Sequence, residues 1–240
     1  MTTGLRRATP ADRAALETLQ RASYARNRPL LGFEGIPVSS KDDVVVPAGY
    51  TAKVLISWGD PISDGPSFKP DGSNTVADQE QQWGMHNDGL VYFPFGKSSS
   101  RGLLVQNHEY TDDALLFPDG LANWSTAKTR KSLAAHGVSV IEVKKVHTRR
   151  GGTEWRVVRP SRYARRITGY TPMRMGGPAK DDPRLKTSDD PTGRRVLGTL
   201  NNCAMGYTPW GTYLACEENF NGYFRKPSAA ATPPVPRTAL

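Results

Sequence analysis

Turn-forming residues cut this sequence into apolar runs too short for most helices, and short apolar runs between turns are the pattern of paired strands. The breaks fall at Asp60-Pro61, Asp64-Gly65, Asp71-Gly72, Asp119-Gly120, Gly151-Gly152, Gly176-Gly177-Pro178 and Pro191-Thr192-Gly193. Between and around them the spacing predicts strands over residues 44–46, 50–57, 90–95, 102–108, 137–146, 154–159, 195–200 and 211–216. Two helices stand apart from this pattern. Thr9-Pro10-Ala11-Asp12 supplies an N-cap, a first-turn proline and an acid for a helix over 10–26, and Asn27-Arg28-Pro29 stops it. The second, over 126–136, is closed by Gly137. The expected fold is therefore mainly β, a propeller or a sandwich, with no exact internal repeat to set a blade count.

At 240 residues, 37% apolar and 23% charged, the chain can bury a core and is neither a disordered tail nor a membrane protein. The net charge of +9 excludes an acidic, calcium-buffering type of protein. Residues 144–196 carry the whole excess, with fifteen Lys and Arg against five acids. Such a stretch can hold nucleic acid or a phosphorylated substrate, or it can be a solvated face. It lacks the interleaved aromatics of a base-stacking platform. Two cysteines exclude a disulfide-dense scaffold and a four-thiolate zinc site. No nucleophile elbow, P-loop or dinucleotide fingerprint is present. The twin Arg6-Arg7 has no hydrophobic stretch behind it, so the start does not read as an export signal.

Three polar clusters lie beside apolar strands: Gly84-Met85-His86-Asn87-Asp88-Gly89, Asn107-His108-Glu109-Tyr110 and Cys216-Glu217-Glu218-Asn219. Asn201-Asn202-Cys203 lies upstream of the third. Acids and amides placed where strands stop can converge on one end of a sheet. Asp88, Glu109, Glu217 and Glu218, with amide oxygens from Asn87, Asn107 and Asn202, are hard donors suited to Ca²⁺, Mg²⁺ or Fe³⁺. Side chains alternate along a strand, so only one of Glu217 and Glu218 can point inward. His86 and His108 are candidate ligands or general acids. His136 reads as a helix-end cation and His147 as a surface residue. Cys203 and Cys216 can pair across a hairpin, pack as small hydrophobes or supply a thiolate to a metal, and burial is the favoured reading.

Several segments resemble the PhoX family of alkaline phosphatases: Pro29-Leu30-Leu31-Gly32-Phe33, Gly84-Met85-His86-Asn87-Asp88-Gly89, Arg101-Gly102-Leu103-Leu104-Val105-Gln106-Asn107-His108-Glu109-Tyr110, Ala135-His136-Gly137-Val138-Ser139-Val140, and above all the long block from Gly198 through Thr208-Pro209-Trp210-Gly211-Thr212-Tyr213-Leu214-Ala215-Cys216-Glu217-Glu218-Asn219. The resemblance implies an incomplete β-propeller at 29–224 with a short N-terminal helical extension at 1–28. It implies a metal-dependent phosphatase that hydrolyses phosphate monoesters, using calcium and iron. It also implies metal ligands among Asp88, Glu109, Glu217, Asn87, Asn107, Glu218 and Cys203. It singles out no catalytic residue. A small phosphate ester is the expected partner of a monomeric protein, with neither nucleic acid nor membrane. Family members are exported by the twin-arginine route to the periplasm or beyond. Residues 225–240 are Ala/Pro-rich and read as a disordered or out-of-frame tail, which makes the chain a truncated copy of doubtful activity. The rival expectation is a non-catalytic β-rich module that binds an anionic partner through residues 144–196.

Overall fold

The computed structural model describes Thr18, residues 33–149 and 151–219, and Tyr223. The helix expected over 10–26 falls outside these residues apart from Thr18, and the tail at 225–240 falls outside them altogether. Contacts divide the chain after Val54. Within 33–54 the rings of Phe33 and Tyr50 meet at 5.1 Å, and no strand forms. The strands expected over 44–46 and 50–57 are thus absent. Their apolar residues alternate, but no neighbouring strand offers its N–H and C=O groups, and a strand exists only as part of a ladder.

From Leu55 onward the fold is built around one long strand. The strands β1 (Asn87–Pro94), β2 (Arg101–His108), β3 (Gly137–His147) and β4 (Thr153–Val157) run antiparallel in that order. β5 (Arg165–Ile167) also pairs with β3, opposite Val138–Val140, so β4 and β5 share one edge of β3 end to end. The first seven residues of β3 are buried without alternation, because both faces of the sheet are covered. On one face Ile141 and Val143 pack with Ile62 and Trp83. On the other, Val105, Val138 and Val140 pack with Val91, Phe93, Leu103 and Tyr213.

Short helices frame this sheet. α1 (Val76–Gln79) opens on a capping box between Thr75 and Asp78, and α2 (Asp113–Leu116) on an Asp112 cap. α3 (Thr126–Ala135) starts where the Ser125 hydroxyl accepts from Lys128 N–H. Gly137 then turns the chain into β3 at φ +101°, where a Cβ would lie 2.0 Å from the Ile167 carbonyl oxygen, so only glycine fits.

Two further antiparallel pairs complete the described residues: β6 (Pro172–Arg174) with β7 (Arg195–Leu197), and β8 (Asn202–Tyr207) with β9 (Tyr213–Glu217). The architecture is mainly β with few helices, and its sheets are open. Among the described residues no helix is long and apolar enough to cross a membrane.

Candidate metal centre

An antiparallel pair places the start of one strand beside the end of its partner. β1 and β2 do this at Asn87 and His108, and β8 and β9 at Asn202 and Glu217. In each pair the register slips immediately afterwards. Asp88 and Gly89 bulge between the Asn87 and Leu90 pairings, and Cys203 and Ala204 between the Asn202 and Met205 pairings. A bulge re-aims the side chain it carries and frees carbonyls from the ladder. Two adjacent carboxamides of β2 take up those carbonyls. Gln106 Nε2 donates to Asp88 O at 2.9 Å, and Asn107 Nδ2 donates to Cys203 O at 2.9 Å and Ala204 O at 3.2 Å. The two bulges are held close: a Cβ on Gly89 would lie 2.8 Å from the Cys203 carbonyl oxygen.

The outcome is a cluster of anionic donors. Ligand atoms of Asp88, Glu109 and Cys203 lie within 4.8 Å of one another, and the Glu218 carboxylate is near enough for its charge to act on Glu109 and Cys203. The thiol also donates to Asp88 Oδ2 at 3.0 Å. Backbone bonds fix the two glutamates: Glu109 N–H donates to His86 O and Glu218 N–H to Asn201 O, each at 2.9 Å. Hydrogen bonds to Asp88 and Glu218 push the Cys203 thiol up to about 12. Burial, then the charges of Asp88 and Glu218, raise Glu109 above the usual carboxylate range. Mutual repulsion among crowded acidic groups is what a cation relieves. Two carboxylates with one sulfur donor suit a hard, thiolate-tolerant ion, so the residues present fit a metal.

The other residues singled out from sequence lie apart from this cluster. Asn87 Oδ1 accepts from the Trp83 indole at 2.9 Å. Asn107, fully buried, braces the Cys203 bulge and accepts from the Tyr213 hydroxyl at 2.8 Å. Glu217 accepts from Thr199 Oγ1 and Leu200 N–H. Asn202 is buried and accepts from Thr199. His86 stacks on Tyr110 with ring centroids 3.7 Å apart. His108 is a core histidine, held by the Ser139 hydroxyl at 2.7 Å, and burial drives its pKa well below 6.5. His136 is a correction: it is 2% exposed and burial lowers its pKa, so it is a neutral interior group and not a helix-end cation. The helix end is capped instead by Arg166, whose guanidinium donates to the carbonyls of Ala134 and His136. Both cysteines are free thiols, and Cys216 is exposed.

Sequence reasoning passed over Gln106, Asn201 and Tyr223. The Asn-Asn pair before Cys203 was the available signal, since asparagine tolerates the left-handed backbone that Asn201 adopts at φ +51°. In the basic stretch, Arg156, Arg184 and Arg194 pair with Glu154, Asp182 and Asp181. Two concavities lie apart from the cluster's donors. One of about 760 Å³ is bounded by Tyr170, Met175, Leu185 and Arg195. The other, an apolar groove of about 650 Å³, runs along Phe93, Leu103, Val140 and Ala215.

Residues 31–236 match the family described as Alkaline phosphatase PhoX. The chain is also similar to a solved structure, Pseudomonas fluorescens PhoX in complex with vanadate, a transition state analogue. Identity is 46% and the TM-score 0.76, over 85% of this chain and 34% of that one. The chain thus spans about a third of the length of the protein it matches. No curated protein sequence matches it.

Proposed function

We propose that this chain, which belongs to the PhoX family of alkaline phosphatases, carries metal-binding donors of a phosphatase acting on phosphate monoesters. The observation that carries the reading is the convergence of Asp88, Glu109 and Cys203 from two bulged hairpins, with the charge of Glu218 beside them. The family is metal-dependent, and calcium with iron is the pairing this donor set suits: carboxylate oxygens for the first, a thiolate for the second. The wider fold is a β-propeller, and these open sheets are part of it. The substrate is a small phosphate ester, consistent with vanadate in the relative, and the protein acts as an exported monomer.

When bound, the metal supplies the positive charge that draws a phosphate dianion and polarises its P–O bonds. Asp88, Glu109 and Glu218 would hold it through oxygen, and Cys203 would do so through sulfur after releasing to solvent the proton it now shares with Asp88. The tightly spaced bulges and their carboxamide braces keep those donors from relaxing apart, and preorganisation of this kind separates a catalytic cluster from a flexible acidic patch. The rival reading of a polyanion-binding module has less support, because the family match points to a phosphatase.

The test is elemental analysis of the purified chain after exposure to Ca²⁺ and Fe³⁺, together with p-nitrophenyl phosphate hydrolysis. Asp88→Asn is expected to lower retained metal by roughly tenfold or more, and any hydrolysis with it. Retention of the same metal content by Asp88→Asn would overturn the assignment.

A further inference from the structure

The end of α3 is tied to the metal cluster by a chain of hydrogen bonds whose direction chemistry settles. His136 Nδ1 lies 2.7 Å from the Ser132 carbonyl oxygen, and a carbonyl only accepts, so Nδ1 carries the proton. The neutral ring therefore presents a lone pair at Nε2, which accepts from the Tyr223 hydroxyl at 3.0 Å. The Tyr223 oxygen in turn accepts from Asn201 Nδ2 at 3.1 Å. Asn201 is 5% exposed, and its own carbonyl receives Glu218 N–H at 2.9 Å. Two residues further on is Cys203. At the far end, Arg166 holds the His136 carbonyl at 2.7 Å, so the ring is anchored to a fixed backbone.

The geometry points to His136 and Tyr223 as positioning residues for the metal centre, acting through Asn201 to set Glu218 and Cys203 against Asp88 and Glu109. The inference rests on the metal reading above. Neither residue touches the cluster's ligand atoms. Each removes freedom from the one hub, Asn201, that governs both donors of the β8–β9 side. Asn201 adopts a left-handed backbone that asparagine tolerates, and the Tyr223 hydroxyl fixes the side chain that this backbone presents.

The test uses Co²⁺ as the probe, titrated into the whole chain, with binding followed by the thiolate-to-cobalt charge-transfer band that reports Cys203. Tyr223→Phe removes one oxygen and keeps the ring. It is expected to weaken Co²⁺ binding roughly 10- to 100-fold, as outer-shell changes do at other metal sites, and to diminish the band at saturation. His136→Phe should do the same. His136→Gln, which can return an acceptor near the Nε2 position, should recover binding to within about threefold of the wild type. Circular dichroism of the metal-free variants separates loss of position from loss of fold. Tyr223→Phe that folds and binds Co²⁺ with unchanged affinity and band would overturn the inference, and so would His136→Gln as impaired as His136→Phe. A wild-type chain with no band at all would sink the metal reading itself, which is a different failure.

Discussion

The five-stranded sheet and the β8–β9 hairpin meet at the candidate metal cluster and are held by different forces. The sheet is secured by apolar burial on both faces, with Ile141 fully buried and Val143 and Val140 each 2% exposed. Four of the five residues of β9 are exposed, and the hairpin is pinned to the sheet largely by directed polar bonds from Asn107 and Tyr213. Burial is tolerant of small shifts, whereas a hydrogen bond fixes an angle. The half of the site contributed by the sheet inherits stability, and the half contributed by the hairpin inherits precision.

The largest test of that contrast is Ile141→Ala, which should cost the whole protein about 2–5 kcal/mol in denaturant unfolding. A loss confined to the hairpin would break the comparison. Next comes Asn107→Ala, which leaves the carbonyls of Cys203 and Ala204 without their side-chain donor and the Tyr213 hydroxyl with only the longer bond to Gly89 O at 3.3 Å. We expect about 2 kcal/mol of destabilisation, read as faster amide exchange over residues 202–217 with exchange in β2 and β3 unchanged. Equal acceleration in both would show that the two regions open as one. The smallest effect belongs to Glu142, a polar residue within the sheet. Burial alone would raise its pKa, but the Ser161 hydroxyl and Arg101 guanidinium outweigh burial and hold it below 4.5. A depressed acid contributes stability above its unfolded pKa, and that stability is lost as pH falls through the folded value. Glu142→Gln should therefore cost about 1 kcal/mol at pH 7, with the gap from wild type closing as pH drops below the carboxylate range. A gap independent of pH would assign the effect to packing.

The same division explains what could be read from sequence. The strands β1 to β4 and helix α3 announce themselves because alternation, capping and Gly137 are local signals. The three-residue strands β5 and β6 are too short for any period to show, and β8 begins Asn202-Cys203-Ala204, with no apolar alternation. The segment 50–57 fails in the opposite direction, since its pattern is good and its partner missing. At the site, the acids at strand ends were visible as a class. Their assortment was not: that Glu218 joins the cluster while Glu217 turns to Thr199, and that Asn107 braces a bulge, depends on register slips that leave no mark in the letters. His136 reads from sequence as a helix-end cation because its buried position and its partner Tyr223, 87 positions away, leave no local signal.

The contact between Cys203 and Asp88 joins residues 115 positions apart. Closing so long a loop is entropically late work, done after the local pairings of β1 with β2 and β2 with β3 already exist. During synthesis Asp88 and Glu109 emerge long before the thiol that completes their cluster. Among the described residues the candidate cluster is therefore completed only when the β8–β9 hairpin has docked, after the sheet that carries Asp88 and Glu109.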